Sequence, residues 1–263
     1  MKKLTALTLL LTVGLFAQTL TIQGSTTVLP IAQAAAEAYM DNNPDADITV
    51  RGGGSGTGIA ALIDGATDIA DASRPMKDKE IKTAREKGVN PVAHIVARDG
   101  IAVIVHPDNQ RNAISLDDIK MIYTGQISRW DKIGGKGTIV VVSRDAASGT
   151  FETFNELALG GAKLTDAALM LASNLEVART VAQTPGAIGY VGLGYLTDEI
   201  KALKVEGIMP SEATVRDGSY PLARPLYMYT NGNPKGLAMS FLDFVMSSAG
   251  QQIVKEAGFV PVK

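Results

Sequence analysis

The apolar positions of this chain fall into short β-branched runs, each followed by small polar residues and then by a segment with helical spacing. Leu20-Thr21-Ile22-Gln23 leads through Gly24-Ser25-Thr26-Thr27 to an Ala-rich helix predicted from Ile31 to Met40. Ile48-Thr49-Val50 leads through Arg51 and a glycine-rich loop, residues 52–58, to a second helix from Ile59. Thr138 to Val142 leads through Arg144-Asp145-Ala146-Ala147-Ser148-Gly149-Thr150 to a third, whose apolar positions begin at Phe151, Phe154 and Leu157. Three copies of strand, hydroxyl-bearing turn and helix predict an α/β protein that binds its ligand at the C-terminal ends of its strands.

The remaining pattern is consistent with that reading. Asp68 to Ala72 reads as a short alternating strand ending in a turn at Pro75, with Ser73 and Arg74 placed to face a ligand. A charged helix follows from Asp78 to Lys87, and Ile101 to Val105 is a strong strand. Ser115 with Asp118, and Ser173 with Glu176, resemble capping boxes and predict helix starts; Pro185-Gly186 ends the second of these helices before a strand from Ala187 to Val191. Trp130 reads as a packing residue, and amphipathic segments at 236–246 and 251–257 close the chain.

Composition narrows the class. With 263 residues and 46% apolar content the chain suits one large domain or two of ordinary size, and 27 glycines against 5% aromatics favour glycine-bearing strand-to-helix turns over a β-sandwich. A net charge of −2 lends no support to a nucleic-acid partner. Lys2 and Lys3, the apolar run Leu4 to Phe16 and the small Ala17 read as a secretory signal over residues 1–17. Its removal takes the net charge to −4. No later segment approaches the roughly 18 apolar residues that a membrane span needs. The chain has no cysteine, hence no disulfide, no thiol nucleophile and no cysteine for a lipid anchor; a freely soluble periplasmic protein is expected.

The chemistry concentrates in the Arg144 loop. A helix start presents backbone N–H groups with no partner inside the helix, together with the positive end of the peptide dipoles. Ser148 and Thr150 add hydroxyl donors, Gly149 allows close approach, and Arg144 supplies a planar fork suited to a tetrahedral oxyanion, with Asp145 expected to orient it. The alternative is an ordinary Ser-Gly-Thr helix cap. The glycine-rich loop lacks a full G-x-G-x-x-G, carries Ile59 where a Walker loop needs lysine, and has Thr57 where a nucleophile elbow needs glycine. Nucleotide binding and a Ser55 nucleophile both lose their support. His94 and His106 have no ligand spacing, and no carboxylate pair stands out, so neither a metal, a cofactor nor an enzymatic activity is expected.

Five segments carry a resemblance: Gly24-Ser25-Thr26-Thr27, Gly54-Ser55-Gly56, Arg144-x-x-x-Ser148-Gly149-Thr150, Pro185-Gly186-Ala187-Ile188-Gly189-Tyr190 and Tyr220-Pro221-Leu222-Ala223-Arg224-Pro225. In order and spacing they resemble the phosphate-binding proteins of bacterial phosphate ABC transporters, over essentially the whole chain after residue 17. The resemblance implies a two-lobed periplasmic binding protein fold of the second type, with two crossover strands and the anion held between lobes of residues 18–103 with 224–263 and residues 104–223. It implies a monomer that binds inorganic phosphate through Thr26, Thr27, Ser55, Ser73, Arg144, Ser148, Gly149 and Thr150 and delivers it to a membrane permease. Sulfate, molybdate or tungstate is the rival ligand, and a secreted phosphatase using Ser148 or Ser55 the rival class. One position departs from the family. Many members carry an aspartate where Ser73 stands, to accept the proton of hydrogen phosphate; Asp71, two residues earlier on the same strand face, is the other acceptor here.

Overall fold

The computed structural model describes residues 18–263, so the signal expected over residues 1–17 lies outside the described residues. In chain order the strands are β1 (Gln18–Gly24), β2 (Ala46–Arg51), β3 (Ile69–Ala72), β4 (Pro91–Val105), β5 (Ala113–Ile114), β6 (Val140–Arg144), β7 (Leu169–Leu171), β8 (Ala187–Gly192), β9 (Lys201–Ala202), β10 (Lys204–Val205) and β11 (Ala223–Asn231). The α-helices are α1 (Leu29–Asn42), α2 (Ser55–Ile63), α3 (Asp78–Glu86), α4 (Leu116–Tyr123), α5 (Gly149–Phe154), α6 (Asn174–Gln183), α7 (Glu212–Arg216), α8 (Gly236–Met246) and α9 (Ser248–Glu256). The expected capping serines perform that role: Ser115 accepts from the Asp118 N–H and Ser173 from the Glu176 N–H.

The main sheet runs β2-β1-β3-β11-β4-β8-β6-β7, with β9 also on β4. β1 is parallel to β2 and β3, and β6 is parallel to β8 and β7, so each end of the sheet is a parallel βαβ unit. β4 and β11 join the two ends. Residues 91–100 of β4 pair antiparallel with β11, and residues 101–105 pair with β8. The side chains change core at the same place: Val96 and Ala97 pack with Leu20, Ile31, Leu226 and Phe241, whereas Ile101 and Val103 pack with Tyr123, Trp130, Phe154 and Tyr190. Leu226 on β11 and Leu222 just before it make the same division. Two lobes with two crossover strands are thus present, as the resemblance implies.

One local expectation fails for a tertiary reason. β3 is buried at every position rather than alternating, because it lies inside the sheet with a helical layer on each face. Ile69 joins the core that contains α1 and α8, while Ala70 and Ala72 meet Ile59 and Leu62 of α2. That helix also sits directly on β1: a Cβ on Gly58 would lie 2.3 Å from the Gln23 carbonyl oxygen. The close contact aims the first turn of α2, with Ser55, at the end of β1.

Candidate functional site

The turns after β1, β2, β3 and β6 converge between the lobes, because the strands that precede them are parallel within each end of the sheet. Thr26, Thr27, Ser55, Ser73, Arg144, Ser148 and Thr150 are all buried, the most accessible at 7% exposure, and Gly149 is buried with them. Ser55 Oγ lies 3.3 Å from Ser73 Oγ and accepts the Ser73 N–H at 3.0 Å. Across the cleft, Thr27 Oγ1 and Thr150 Oγ1 are 2.9 Å apart, and the Ala147 carbonyl accepts the Gly56 N–H at 2.9 Å. Gly149 is required by this closeness. A Cβ there would stand 2.3 Å from Ser55 Oγ and 2.9 Å from Ser73 Oγ. Ser148 caps α5, accepting the Phe151 N–H.

Arg144 brings a full charge to the cluster and is 1% exposed. Its Nε donates to the Leu171 carbonyl at 3.1 Å, and its Nη2 donates to the Ala172 carbonyl at 2.7 Å and to Thr26 Oγ1 at 3.2 Å. Its Nη1 has no partner. Burial pulls the Arg144 pKa below the ordinary guanidinium value, an effect that Tyr190 and Asp145 oppose. Asp145 does not orient Arg144 as expected; its Oδ1 accepts the Ala147 N–H at 3.0 Å and shapes the loop, while the two carbonyls at and after the end of β7 aim the guanidinium. From behind, the Tyr190 hydroxyl accepts the Arg144 N–H at 3.1 Å and meets Ser143 Oγ at 2.8 Å. Burial pushes that phenol up to about 12, so it is neutral.

Three side chains of the cluster, Arg224, Asp99 and Asn174, were not assigned from sequence, and Asp71 was named there as the alternative acceptor to Ser73. Arg224 donates from Nη2 to Thr27 Oγ1 (3.3 Å), Thr150 Oγ1 (3.0 Å) and Asp99 Oδ2 (2.8 Å), and from Nη1 to the Ser73 carbonyl (3.1 Å), so it touches both walls. Asp99 also accepts the Leu193 N–H at 2.9 Å; burial nonetheless pushes its carboxyl above the usual range, against the pull of Arg224. Asn174, fully buried at the first residue of α6, reaches Thr26 and Thr27. Asp71 is 1% exposed, and its Oδ1 has no partner. Its backbone carbonyl accepts the Ser25 N–H at 2.8 Å, which ties it to the first hydroxyl turn. Burial holds the Asp71 carboxyl well above the usual carboxylate range. Arg224 stood inside a motif that carries the resemblance, so it had a signal; Asn174 was hidden behind a capping box.

Residues 15–249 match the PBP superfamily domain. Phosphate-binding protein PstS of Bacillus subtilis (strain 168) is 42% identical over 246 residues, covering 92% of this chain and 80% of that protein. This chain is a member of the PstS family. PstS of Borreliella burgdorferi is 31% identical over 255 residues, 92% of this chain and 89% of its own. Among solved structures, a putative phosphate ABC transporter substrate-binding protein with bound phosphate from Clostridium perfringens superposes with a TM-score of 0.87 at 34% identity, covering 94% of this chain and all of that one.

In this member of the PstS family ion pairs join Arg74 and Lys77 to Glu152 across the cleft. Arg74, expected to face a ligand, instead donates to both carboxylate oxygens of Glu80 at 2.8 Å. Its Nε also lies 2.8 Å from Glu152 of the other lobe. That N–H is not aimed along the contact, which leaves a Coulombic pair and no hydrogen bond. Lys77 approaches the same Glu152 oxygen at 2.6 Å. Burial works against the Arg74 charge, but the two carboxylates outweigh it and raise its pKa. His94 meets Thr230 Oγ1 at 3.0 Å, remote from the cluster, and no group of three metal-ligating side chains occurs among the described residues.

Proposed function

We propose that this protein captures inorganic phosphate in the periplasm and delivers it to the membrane permease of an ABC transporter, without performing chemistry on it. The observation that carries the reading is the buried, unpartnered Nη1 of Arg144 in a cluster of serine and threonine hydroxyls. A buried guanidinium left with free N–H groups calls for an acceptor ligand, and a tetrahedral oxyanion supplies several acceptor oxygens at once. Charge-assisted bonds contribute roughly 1.5–3 kcal/mol each. Several of them, beyond desolvation and closure, reach the roughly −8 kcal/mol of a micromolar binder.

The ligand set we propose is Thr26, Thr27, Ser55 and Ser73 from one lobe and Arg144, Ser148, Gly149 and Thr150 from the other, with Asp71 as the buried acceptor for the proton of hydrogen phosphate. The lobes are taken as residues 18–103 with 224–263 and residues 104–223. The change of core between Ala97 and Ile101 supports a hinge close to Gly100. Closure over the anion gives the permease a loaded state to recognise, because the ligand favours that state only through contacts with both lobes.

Calorimetric titration with phosphate, sulfate and molybdate, run beside a phosphate-ester turnover assay, tests the reading. Tight phosphate binding without turnover is expected. Ester turnover without tight phosphate binding would replace the reading with a phosphatase.

A further inference from the structure

We propose that Asn174 sets the hydrogen-bond polarity of the first hydroxyl turn, filling with Arg144 both lone pairs of Thr26 so that this hydroxyl acts only as a donor to a bound anion. The proposal rests on the phosphate-capture reading and adds to it the residue that decides which phosphate oxygen Thr26 receives. Asn174 is a positioning residue.

The argument is a count of protons and lone pairs. A threonine hydroxyl has one proton to donate and two lone pairs. The Asn174 amide has a known orientation, because its Oδ1 accepts the Gly192 N–H at 3.2 Å and a backbone N–H can only donate. Its NH₂ group therefore faces the threonines, 3.2 Å from Thr26 Oγ1 and 3.0 Å from Thr27 Oγ1, one hydrogen for each. Thr26 receives its second N–H from Arg144 Nη2 at 3.2 Å. With both lone pairs filled, its own proton is all it has to offer.

Thr27 and Thr150 are less constrained: Arg224 Nη2 has two hydrogens, Asp99 Oδ2 takes one at 2.8 Å, and the other is divided between Thr27 Oγ1 at 3.3 Å and Thr150 Oγ1 at 3.0 Å. Thr27 and Thr150 also bond each other at 2.9 Å with either hydroxyl able to donate, so this pair keeps a lone pair that can turn to a ligand. At Thr26 polarity therefore runs one way, from the Asn174 amide and the Arg144 guanidinium through the hydroxyl toward the anion. An oxygen without a proton is received by Thr26. A ligand O–H pointed at it finds no lone pair and is left buried and unpaired, which is costly. The protonated oxygen of hydrogen phosphate must turn away from Thr26.

Phosphate titrations of wild type and Asn174→Leu at about pH 6 and about pH 8 test this, since phosphate passes from mostly monoanion to mostly dianion between them. The titratable groups facing these hydroxyls are Asp71, Asp99, Arg144, Tyr190, Tyr195 and Arg224, and all are present in both proteins. Normalising to wild type at each pH cancels their own titration. Without Asn174, Thr26 regains a lone pair and accepts an O–H. The variant should lose more than about tenfold in affinity at pH 8 and less than about threefold at pH 6. Equal losses at both pH values, or no loss, would mean that Asn174 serves only packing and would overturn the proposal. Should Asn174→Leu fail to fold, Asn174→Asp keeps the acceptor for Gly192 and offers the threonines an acceptor in place of the NH₂. It should abolish phosphate binding at pH 8, and affinity within threefold of wild type would overturn the proposal. Wild type that bound no phosphate at either pH would overturn the phosphate reading and this proposal with it, whereas equal losses overturn the proposal alone.

Discussion

Asp99 and Arg224 face each other in register on the two strands that connect the lobes, with Arg224 Nε and Nη2 both donating to Asp99 Oδ2, at 3.1 and 2.8 Å. The pair sits where the cores change over and reaches the hydroxyls of both walls. Removing one partner of a buried ion pair strands the other charge and typically costs about 3–5 kcal/mol, whereas replacing both is often near neutral. Arg224→Met is therefore expected to lose stability on that scale in urea denaturation, and Asp99→Asn with Arg224→Met to recover much of it. A double variant as unstable as the single one would show that the pair is not what makes Arg224 necessary.

Arg144→Ala is expected to weaken phosphate binding by more than tenfold, or over about 1.4 kcal/mol. The unliganded protein should remain folded, because the substitution also removes a buried donor that has no protein partner. Calorimetry with unchanged phosphate affinity would take Arg144 out of the site.

Glu152 joins the lobes through Arg74 and Lys77, and its side chain is 18% exposed, so the contact is only partly screened. Phosphate should compact the protein in small-angle scattering and raise its melting temperature by mass action. Glu152→Gln should shift the unliganded protein toward the expanded form and weaken phosphate several-fold. Scattering that is identical with and without saturating phosphate, in both proteins, would contradict a closing cleft.

Asp71 makes a pH prediction whose sign is opposite to that of an ion-paired carboxylate. Its folded pKa is raised by burial above the unfolded value of about 3.9, so the folded state holds the proton longer. Its contribution to stability is complete below about pH 4 and declines as pH rises toward the folded pKa. Asp71→Asn should therefore gain stability relative to wild type as pH rises from about 4 to about 7.5. Parallel denaturation curves across that range would mean that the carboxyl is not perturbed.

Selectivity separates Asp71 from Ser73. Sulfate carries no proton at neutral pH, and a carboxylate beside it would be repelled, while a hydroxyl rotates to donate. With Asp71 as the acceptor, wild type is expected to ignore a large excess of sulfate in competition with bound phosphate, and Asp71→Asn to lose that preference. Weak discrimination in wild type that Ser73→Asp sharpens would assign the role to Ser73 instead.

What the sequence determined by itself was local: the three strand-turn-helix units, the capping serines, the donor-rich turns and the motif order that marks the family. Each depends on residues a few positions apart, where periodicity, turn chemistry and capping act directly. What only the tertiary structure decided are the partners. Asp99 meets Arg224 across 125 residues because the register of β4 on β11 places them opposite each other, and neither strand's own sequence states that register. Asn174 meets Thr26 across 148 residues because α6 starts beside the first hydroxyl turn, and Arg74 turns to Glu80 and Glu152 because the lobes close there. Burial decided the rest. The Asp71 carboxyl is pushed above the usual carboxylate range, and the Thr26 hydroxyl is given a direction, only when neighbours from distant segments exclude water and fill the available lone pairs.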